Sequence, residues 1–149
     1  MKYEIGEVYA QAINDIATVI HQANVDQGWW QDLYDVLDCI DVAHVNPRSE
    51  ECLLMKRKVE LWFEMSKAAL IHSEVSEMVE GMRKNIMDSH LTHREADEVE
   101  GADALIRLLD LMSARGCDIG GATDEKFAYN QERADHKREA REGENGKLV

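Results

Sequence analysis

Apolar residues recur along this chain at intervals of three and four positions, which is the period of an α-helix. Valine and isoleucine do not alternate at every second position, as they would in strands. We predict helices over 4–24, 31–44, about 47–84, about 94–114 and 123 to about 140. The third segment is one long helix or two in series. The predicted fold class is therefore all-α, a helical bundle in a single domain over residues 1–149.

Certain residues mark the expected helix ends. Gly28 and Gly116 should end the first and fourth helices, because glycine is favoured just beyond a helix C-terminus. Asn46 and Pro47 are typical of a cap and first turn, so they predict the start of the third helix. Thr123 is predicted to cap the last helix.

Composition narrows the class of protein. Of the 149 residues, 44% are apolar and 32% are charged, and the net charge is −13. A nucleic-acid-binding surface needs clustered lysine and arginine, so no nucleic-acid partner is expected. Three scattered cysteines without a CxxC pair predict no disulfide framework, which fits a cytoplasmic location. No apolar run approaches the length of a membrane span, so no membrane partner is expected.

Four acidic residues lie at the edges of apolar helix faces. Glu74 and Glu77 belong to the third helix, and Glu100 and Asp103 to the fourth. Residues three and four apart share a face, so each pair presents two carboxylates together. Only Asp103 has a cation four positions away, Arg107. A buried ionised carboxylate needs a partner, and such local salt bridges do not supply one for the other three.

Two acid pairs on facing helices would form a cage of oxygen atoms, and hard oxygen ligands suit Mg²⁺ or Mn²⁺ rather than zinc. The spacing alone leaves open that the acids only lie on solvated helix surfaces. Glu80 and Asp110 are assigned to solvent or to a supporting role. A di-iron bundle is disfavoured because no Glu-x-x-His motif is present. His90 and His93 are interpreted as ordinary loop histidines.

Three stretches carry a resemblance to a known family: "ALIHSEVSEMVEGMRKN", "EVEGADALIRLLDL" and "EKFAYNQERADHK". They resemble the MazG-like nucleoside triphosphate pyrophosphohydrolases, which belong to the all-α NTP pyrophosphatases, and look closest to the compact bacterial and phage subgroup. The family pattern is EExxE followed by ExxD. Ser73 replaces the first glutamate, and Glu74, Glu77, Glu100 and Asp103 match the rest. The resemblance covers 68–137, about half the chain.

This resemblance implies hydrolysis between the α and β phosphates of a (d)NTP, giving (d)NMP and pyrophosphate. The four acids would be both catalytic residues and metal ligands, holding two or three Mg²⁺ ions for which Mn²⁺ would substitute. Such ions lower the pKa of a bound water and neutralise phosphate charge. Glu77 is the expected residue to orient or deprotonate that water.

Polar and basic residues are the expected ligands of the phosphates. Four of them recur on one face of the last helix at steps of four, three and four, and two end the third helix. Such a row of donors suits phosphate oxygens, although a solvated basic face is the alternative. The candidates are Arg83, Lys84, Lys126, Asn130, Arg133 and Lys137.

Residues around the first helix end are the expected contacts of the nucleobase. His21 and Trp30 have the spacing that family members use for this purpose, and Asn24 and Trp29 are weaker candidates of the same kind. Taken alone, two tryptophans after a helix are also typical of a core or an interface.

The N-terminal part fits the family more loosely. About thirty residues, over 33–61, form an insertion relative to the family, and 141–149 is expected to be a flexible or ligand-ordered tail. Family members assemble through their helices, so a homodimer or homotetramer is expected. Trp62, Phe63 and Met65 are the candidate contacts between subunits.

The expected function is a Mg²⁺-dependent (d)NTP pyrophosphohydrolase, with a purine such as dGTP or GTP as substrate in a phage nucleotide-pool role. A phage-encoded chain would act in the host cytoplasm. A related dUTP or dCTP pyrophosphatase is the alternative within enzymes. A non-catalytic helical interaction module is the alternative from another class.

Overall fold

The computed structural model describes residues 3–133, in which five α-helices follow one another along the chain. They are α1 (Glu7–Asp26), α2 (Gln31–Ala43), α3 (Glu50–Lys84), α4 (Ala96–Ala114) and α5 (Ile119–Glu132). No strand occurs between residues 3 and 133, where one isolated β-bridge pairs Met87 with Glu95. The predicted all-α class is confirmed.

The predicted start of α3 is wrong by several residues, and its cap explains the difference. Ser49 is the cap, and its hydroxyl accepts a hydrogen bond from the Cys52 amide at 3.3 Å. The Asn46 side chain instead accepts from the Arg48 amide, in the turn that precedes the helix. From Glu50 onward α3 continues without interruption for 35 residues, so the alternative of two helices in series is excluded.

The predicted start of α5 is also wrong. Asp118 caps this helix by accepting from the Gly121 amide at 2.9 Å, so the helix begins at Ile119. Thr123 lies inside the helix, where its hydroxyl donates to the Ile119 carbonyl oxygen. An aspartate has a stronger acceptor than a hydroxyl, and it comes earlier in the chain.

α3 and α4 form an antiparallel hairpin. Gly81, near the end of α3, lies against Ala96 and Asp97 at the start of α4. At the far end of the hairpin, Glu64 of α3 forms an ion pair with Arg115, just after α4. The two helices therefore face each other along most of α4.

α1 packs on α4 and α5 packs on α1, each antiparallel to the helix it covers. His21 of α1 contacts Asp110 of α4, and Asn14 accepts from the Gly120 amide of α5 at 2.8 Å. Near its other end, α5 approaches Tyr3, whose amide donates to Gln131. α5 thus lies beside the N-terminal half of α1.

α2 folds back along the N-terminal half of α3, and this pair contains the predicted insertion over 33–61. Asp41 of α2 forms an ion pair with Lys56 of α3. The buried core is formed by Trp30, Leu33 and Leu111, with Phe63 packed against it. Phe63 therefore packs against the protomer core, and its expected place at a subunit interface stays a prediction.

Several large apolar side chains of α1 are exposed in the protomer. Val8, Ile16 and Val19 are 80%, 53% and 68% exposed. The buried side of α1 carries the small residues Ala10 and Ala17 instead. Small side chains let α1 approach its neighbours closely, which decides its orientation. No helix within residues 3–133 combines the length and apolar character needed to cross a membrane.

Replacing Gly120 should destabilise the fold. A Cβ there would overlap the backbone carbonyl of Ala10, so Gly120→Ala must push α5 away from α1. We expect a loss of about 1–3 kcal/mol in the free energy of unfolding, measured by chemical denaturation. Gly101→Ala is the matched control, because its Cβ would meet only the flexible Met78 side chain at 3.4 Å. A neutral or stabilising effect is expected there, and equal effects of the two changes would contradict this account.

Candidate metal site and adjoining cleft

Three of the four predicted acids come together between α3 and α4. One carboxylate oxygen from each of Glu74, Glu77 and Glu100 lies within 4.8 Å of the others. Oxygens that share one Mg²⁺ at about 2.1 Å are separated by at most about 4.2 Å, so small side-chain rotations suffice to close the group around an ion. The donor set, all carboxylate oxygen, fits a hard divalent cation.

Glu74 is the buried member, with 7% of its surface exposed. Its Oε1 lies 2.7 Å from Nε of Arg107, which reaches across from α4. The Arg107 Nε is buried and its N–H does not satisfy hydrogen-bond geometry, so this contact is an ion pair only. The pair was missed because Glu74 and Arg107 lie on different helices, whereas the expected partner of Arg107 was Asp103.

The other two acids are more accessible. Glu77 is exposed, and its Oε1 accepts a hydrogen bond from the Ser73 hydroxyl at 3.2 Å. Glu100 is half-buried, and burial raises its pKa, with further increases from Glu77, Glu74 and Asp103. Neighbouring negative charges disfavour the ionised form of a carboxyl, as expected where carboxylates are held close together.

Asp103 lies next to this group, one turn further along α4, but not in it. It is exposed and lines a cleft between α1, α3 and α4. The cleft is lined by Asn24, Trp29, Lys67, Asp103, Ile106, Arg107 and Asp110. Because Arg107 contacts Glu74 and also lines the cleft, the acid group and the cleft are continuous.

Asp110 is the centre of a buried polar cluster at the base of the cleft. It is only 3% exposed. Its Oδ1 lies 2.7 Å from Nδ1 of His21 and accepts from the Trp30 indole N–H at 3.0 Å. The assignment of Asp110 to solvent is therefore wrong; its supporting role is consistent with these contacts.

Lys67 joins the same cluster from α3. Its Nζ lies 4.0 Å from Asp110, donates to the Trp29 carbonyl oxygen at 3.0 Å and lies over the Trp30 ring. Burial lowers the pKa of Lys67, while Asp110 opposes that change and Arg107 adds to it. This is a partly desolvated cation at the edge of an open cleft, which is a good donor for an anionic ligand.

The candidates for nucleobase contact are separated by the fold. Asn24 and Trp29 line the cleft, and Trp29 is 58% exposed. Trp30 is 3% exposed, its indole N–H is engaged by Asp110, and its ring packs on His21, Phe63 and Lys67. Trp30 is thus placed in the core, where it supports the cleft but presents no free face to a base, and His21 is held beside it.

The phosphate candidates at the end of α3 are exposed and form ion pairs with a third residue. Arg83 and Lys84 both contact Glu80 at 2.9 Å. Hydrogen bonds from Lys84 and Arg83 lower the pKa of Glu80. Arg83 and Lys84 lie one to two turns beyond Glu77 on α3, so they are close to this acid along the chain.

The fold does not bring the candidates on α5 to the acids of the same protomer. Lys126 lies over the Tyr129 ring, and it lines a surface groove with Asn130. Their helix lies beside the N-terminal half of α1, where Asp124 holds Gly6, about 27 Å along the α1 axis from Asn24. Arg133 ends the described region and Lys137 lies outside it, as does the tail over 141–149.

Comparison with known proteins gives no relative. No protein-family model matches the chain, and neither a curated protein nor a solved structure does. The resemblance to MazG-like enzymes therefore stays a prediction based on the motifs, and the site must be judged on its own geometry.

Lys67 and Asp110 are the site residues that the sequence interpretation missed or misplaced. Lys67 precedes Glu74 by seven residues, and Asp110 follows Asp103 by seven. Seven residues are about two helical turns, so each lies on the same face as the acid it accompanies. The spacing of seven residues from a predicted acid was therefore the signal in the sequence that could have identified both residues.

Glu100→Gln should stabilise the metal-free protein at neutral pH. The pKa of Glu100 is raised in the folded state, so its ionisation disfavours folding once the pH exceeds the unfolded-state pKa. In EDTA at pH 7, we expect the variant to melt roughly 2 °C higher than wild type. The difference should vanish below about pH 4, where the carboxyl is protonated in both states. A variant that is less stable at pH 7 would show that Glu100 is held by favourable contacts instead.

Divalent cations should stabilise the wild-type protein. A cation that binds only the native state at one hundred times its dissociation constant adds about 2.7 kcal/mol, which is about 5–10 °C in melting temperature for a domain of this size. Glu77→Gln should remove most of the increase, and it should not lower the metal-free melt, because Glu77 is exposed and its charge adds to the effect of burial in raising the pKa of Glu100. Glu98→Gln, an exposed change on α4, should keep it. An equal Mn²⁺ response in all three proteins would place the binding elsewhere.

Proposed function

We propose that this protein is a Mg²⁺-dependent nucleoside triphosphate pyrophosphohydrolase, which converts a (d)NTP and water into (d)NMP and pyrophosphate. The observation that carries the proposal is the convergence of Glu74, Glu77 and Glu100 beside a cleft that also presents Lys67 and Arg107. Phosphoryl transfer needs two sets of groups: carboxylates that bind metal ions, and cationic side chains that bind phosphates. The motif resemblance to MazG-like enzymes agrees with this.

In this proposal the three converging acids hold the metal, and Asp103 completes the set from the cleft side. A bound divalent ion supplies Lewis-acid activation of water and neutralises charge on the triphosphate. Glu77 is free to turn toward a water because it is exposed and, among residues 3–133, accepts a hydrogen bond from the Ser73 hydroxyl alone. It orients that water and accepts its proton as an oxygen–phosphorus bond forms and the bond between the α-phosphorus and the bridging oxygen breaks.

The cations of the cleft bind the substrate. Lys67 and Arg107 line it together, so a polyphosphate that leads out of the acid group meets both. Asn24 and Trp29 also line the cleft and would contact the base, through an amide and an aromatic face. A purine substrate such as dGTP or GTP is the substrate we propose, with dUTP or dCTP as the alternative. The enzyme would act in the cytoplasm as a homodimer or homotetramer.

One observation favours a second candidate, a non-catalytic helical interaction module. Glu74 already has a cation partner in Arg107, as a carboxylate in a purely structural ion pair would. In that case the acids would bind no ion, and the helices alone would carry the function.

Product analysis tests the proposal. Each common NTP and dNTP is incubated with the protein and Mg²⁺, and the products are separated by ion-exchange chromatography. We expect monophosphate and pyrophosphate in equal amounts, and a loss of about 100-fold or more in rate for Glu77→Gln. Glu77 is a better test than Glu74, because Glu74→Gln would also leave Arg107 without its counter-ion.

Glu98→Gln is the control for that experiment, since Glu98 is exposed on α4 and contacts Arg94. Its activity should equal that of wild type. Release of orthophosphate and a diphosphate would contradict the assignment of the cleaved bond. No turnover of any nucleotide, in a protein that melts normally, would favour the interaction module.

A further inference from the structure

Arg107 stands between two roles that it cannot fill at the same time. Its Nε lies 2.7 Å from the Glu74 carboxylate in the acid group, and the same side chain lines the cleft where a polyphosphate would bind. Glu74 needs this positive charge while no metal is bound, because a buried carboxylate without a partner is costly. A divalent cation held by Glu74 would supply the charge instead, and Arg107 would no longer be needed there.

Three features of the contact between Arg107 and Glu74 make it easy to break. The Nε–H group does not satisfy hydrogen-bond geometry, so the contact has charge attraction without a directed hydrogen bond. The Arg107 side chain is 37% exposed, so part of it already reaches solvent. The cleft beside it has a volume of about 150 Å³, several times that of a water molecule, which gives the guanidinium room to turn.

A cation in the acid group would also repel Arg107. A Mg²⁺ ion held by the same Glu74 oxygen, at about 2.1 Å, would lie within about 5 Å of the Arg107 Nε. Like charges at that separation repel strongly where little water lies between them, and Glu74 is buried. The ion would gain further attraction from Glu77 and Glu100, whose oxygens converge with that of Glu74. These charges favour the ion over the arginine at Glu74.

We propose that a divalent cation and Arg107 compete for the Glu74 carboxylate, so that metal binding releases Arg107 into the cleft. There Arg107 joins Lys67 as a donor to the phosphates of the ligand. This role rests on the proposed function, because it uses the metal site and the anionic ligand of that proposal. It adds an order of binding, in which the metal comes first and the phosphates second.

The charges of the cleft explain why the release of Arg107 matters. Asp103 and Asp110 line the cleft together with Lys67 and Arg107. While Glu74 neutralises Arg107, the two aspartates outweigh Lys67, and the cleft disfavours a polyanion. Release of the guanidinium removes this excess of negative charge. Coupling between two ligands is reciprocal, so an anion that holds Arg107 in the cleft should also strengthen metal binding.

The first test measures Mn²⁺ affinity by calorimetry, with no nucleotide present. Arg107→Met removes the competitor of the metal and should tighten Mn²⁺ binding about tenfold or more. Lys67→Met is the matched control, because it removes the same charge from the same cleft, at a side chain that contacts the Trp29 carbonyl oxygen and lies near Asp110. We expect it to change the Mn²⁺ affinity less than about threefold.

Two results would overturn the proposal, and they differ in what else they remove. Equal Mn²⁺ affinity in wild type and Arg107→Met would show that the metal does not displace Arg107, and the proposed function would still stand. Mn²⁺ binding that is absent, or unchanged in Glu77→Gln, would show that the acid group holds no metal. In that case the proposed function would fail as well.

The second test follows Arg107 in the wild-type protein, so it does not depend on the folding of a variant. An arginine Nε–H group gives its own signal in a ¹⁵N–¹H NMR spectrum, and Arg107→Lys identifies the signal of Arg107 by removing it. In EDTA this hydrogen should exchange slowly with water, because the Nε is buried. Saturating Mg²⁺, which is diamagnetic, should accelerate the exchange about tenfold or more. Unchanged exchange would show that Arg107 stays at Glu74, and it would overturn the proposal.

Inorganic tripolyphosphate then tests the role of Arg107 as a donor in the cleft. Added to the Mg²⁺-bound protein, it should slow the exchange of the Arg107 Nε–H again, because the anion holds the released guanidinium. Tripolyphosphate has no base, so the effect can come only from phosphate contacts. If the anion binds, as calorimetry would show, and leaves the exchange fast, Arg107 is not a donor to the phosphates and the proposal is wrong.

Discussion

The close approach of α3 and α4 determines most of what this molecule can do. At Gly81 the two backbones come so near that an added Cβ would lie 2.8 Å from the Asp97 amide nitrogen. No other residue type fits there without moving a helix. This contact fixes the rotation of α3 about its own axis, and that rotation turns Glu74 and Glu77 toward Glu100. The geometry of the acid group thus depends on the absence of a side chain one turn away.

The same interface is unusual in its polarity. Along it, Glu74, Arg107, Lys67 and Asp110 alternate in sign, and each contacts or lies near a residue of opposite charge. Burying charges is costly even when they are paired, so an apolar contact would be the more stable choice. Three of these four charged residues, Lys67, Arg107 and Asp110, line the cleft, where the proposed function would use them.

How much of the fold and of the candidate site the sequence predicts depends on how far apart in the chain the interacting residues lie. Helices and acid pairs depend on residues three to seven positions apart, so the five helices and the Glu74–Glu77 and Glu100–Asp103 pairs were found. The burial of Trp30 depends on Asp110, eighty positions away, and no local pattern contains it. The face that α1 buries carries Ala10 and Ala17, whose small side chains allow close packing, and a ranking by hydrophobicity does not select it. The position of Lys126 required the direction of α5, which one sequence does not contain.

The placement of α1 has a consequence for the order of folding. Its start is held by Asp124, whose side chain accepts from the amides of Ile5 and Gly6, more than one hundred positions earlier. α2, α3 and α4, in contrast, contact their neighbours in the chain. Closing a long loop costs more entropy than closing a short one, so these three helices should assemble first. On the ribosome, α1 is synthesised before α4 and α5. Until those helices emerge, the surfaces of α1 that pack on them stay exposed and accessible to chaperones.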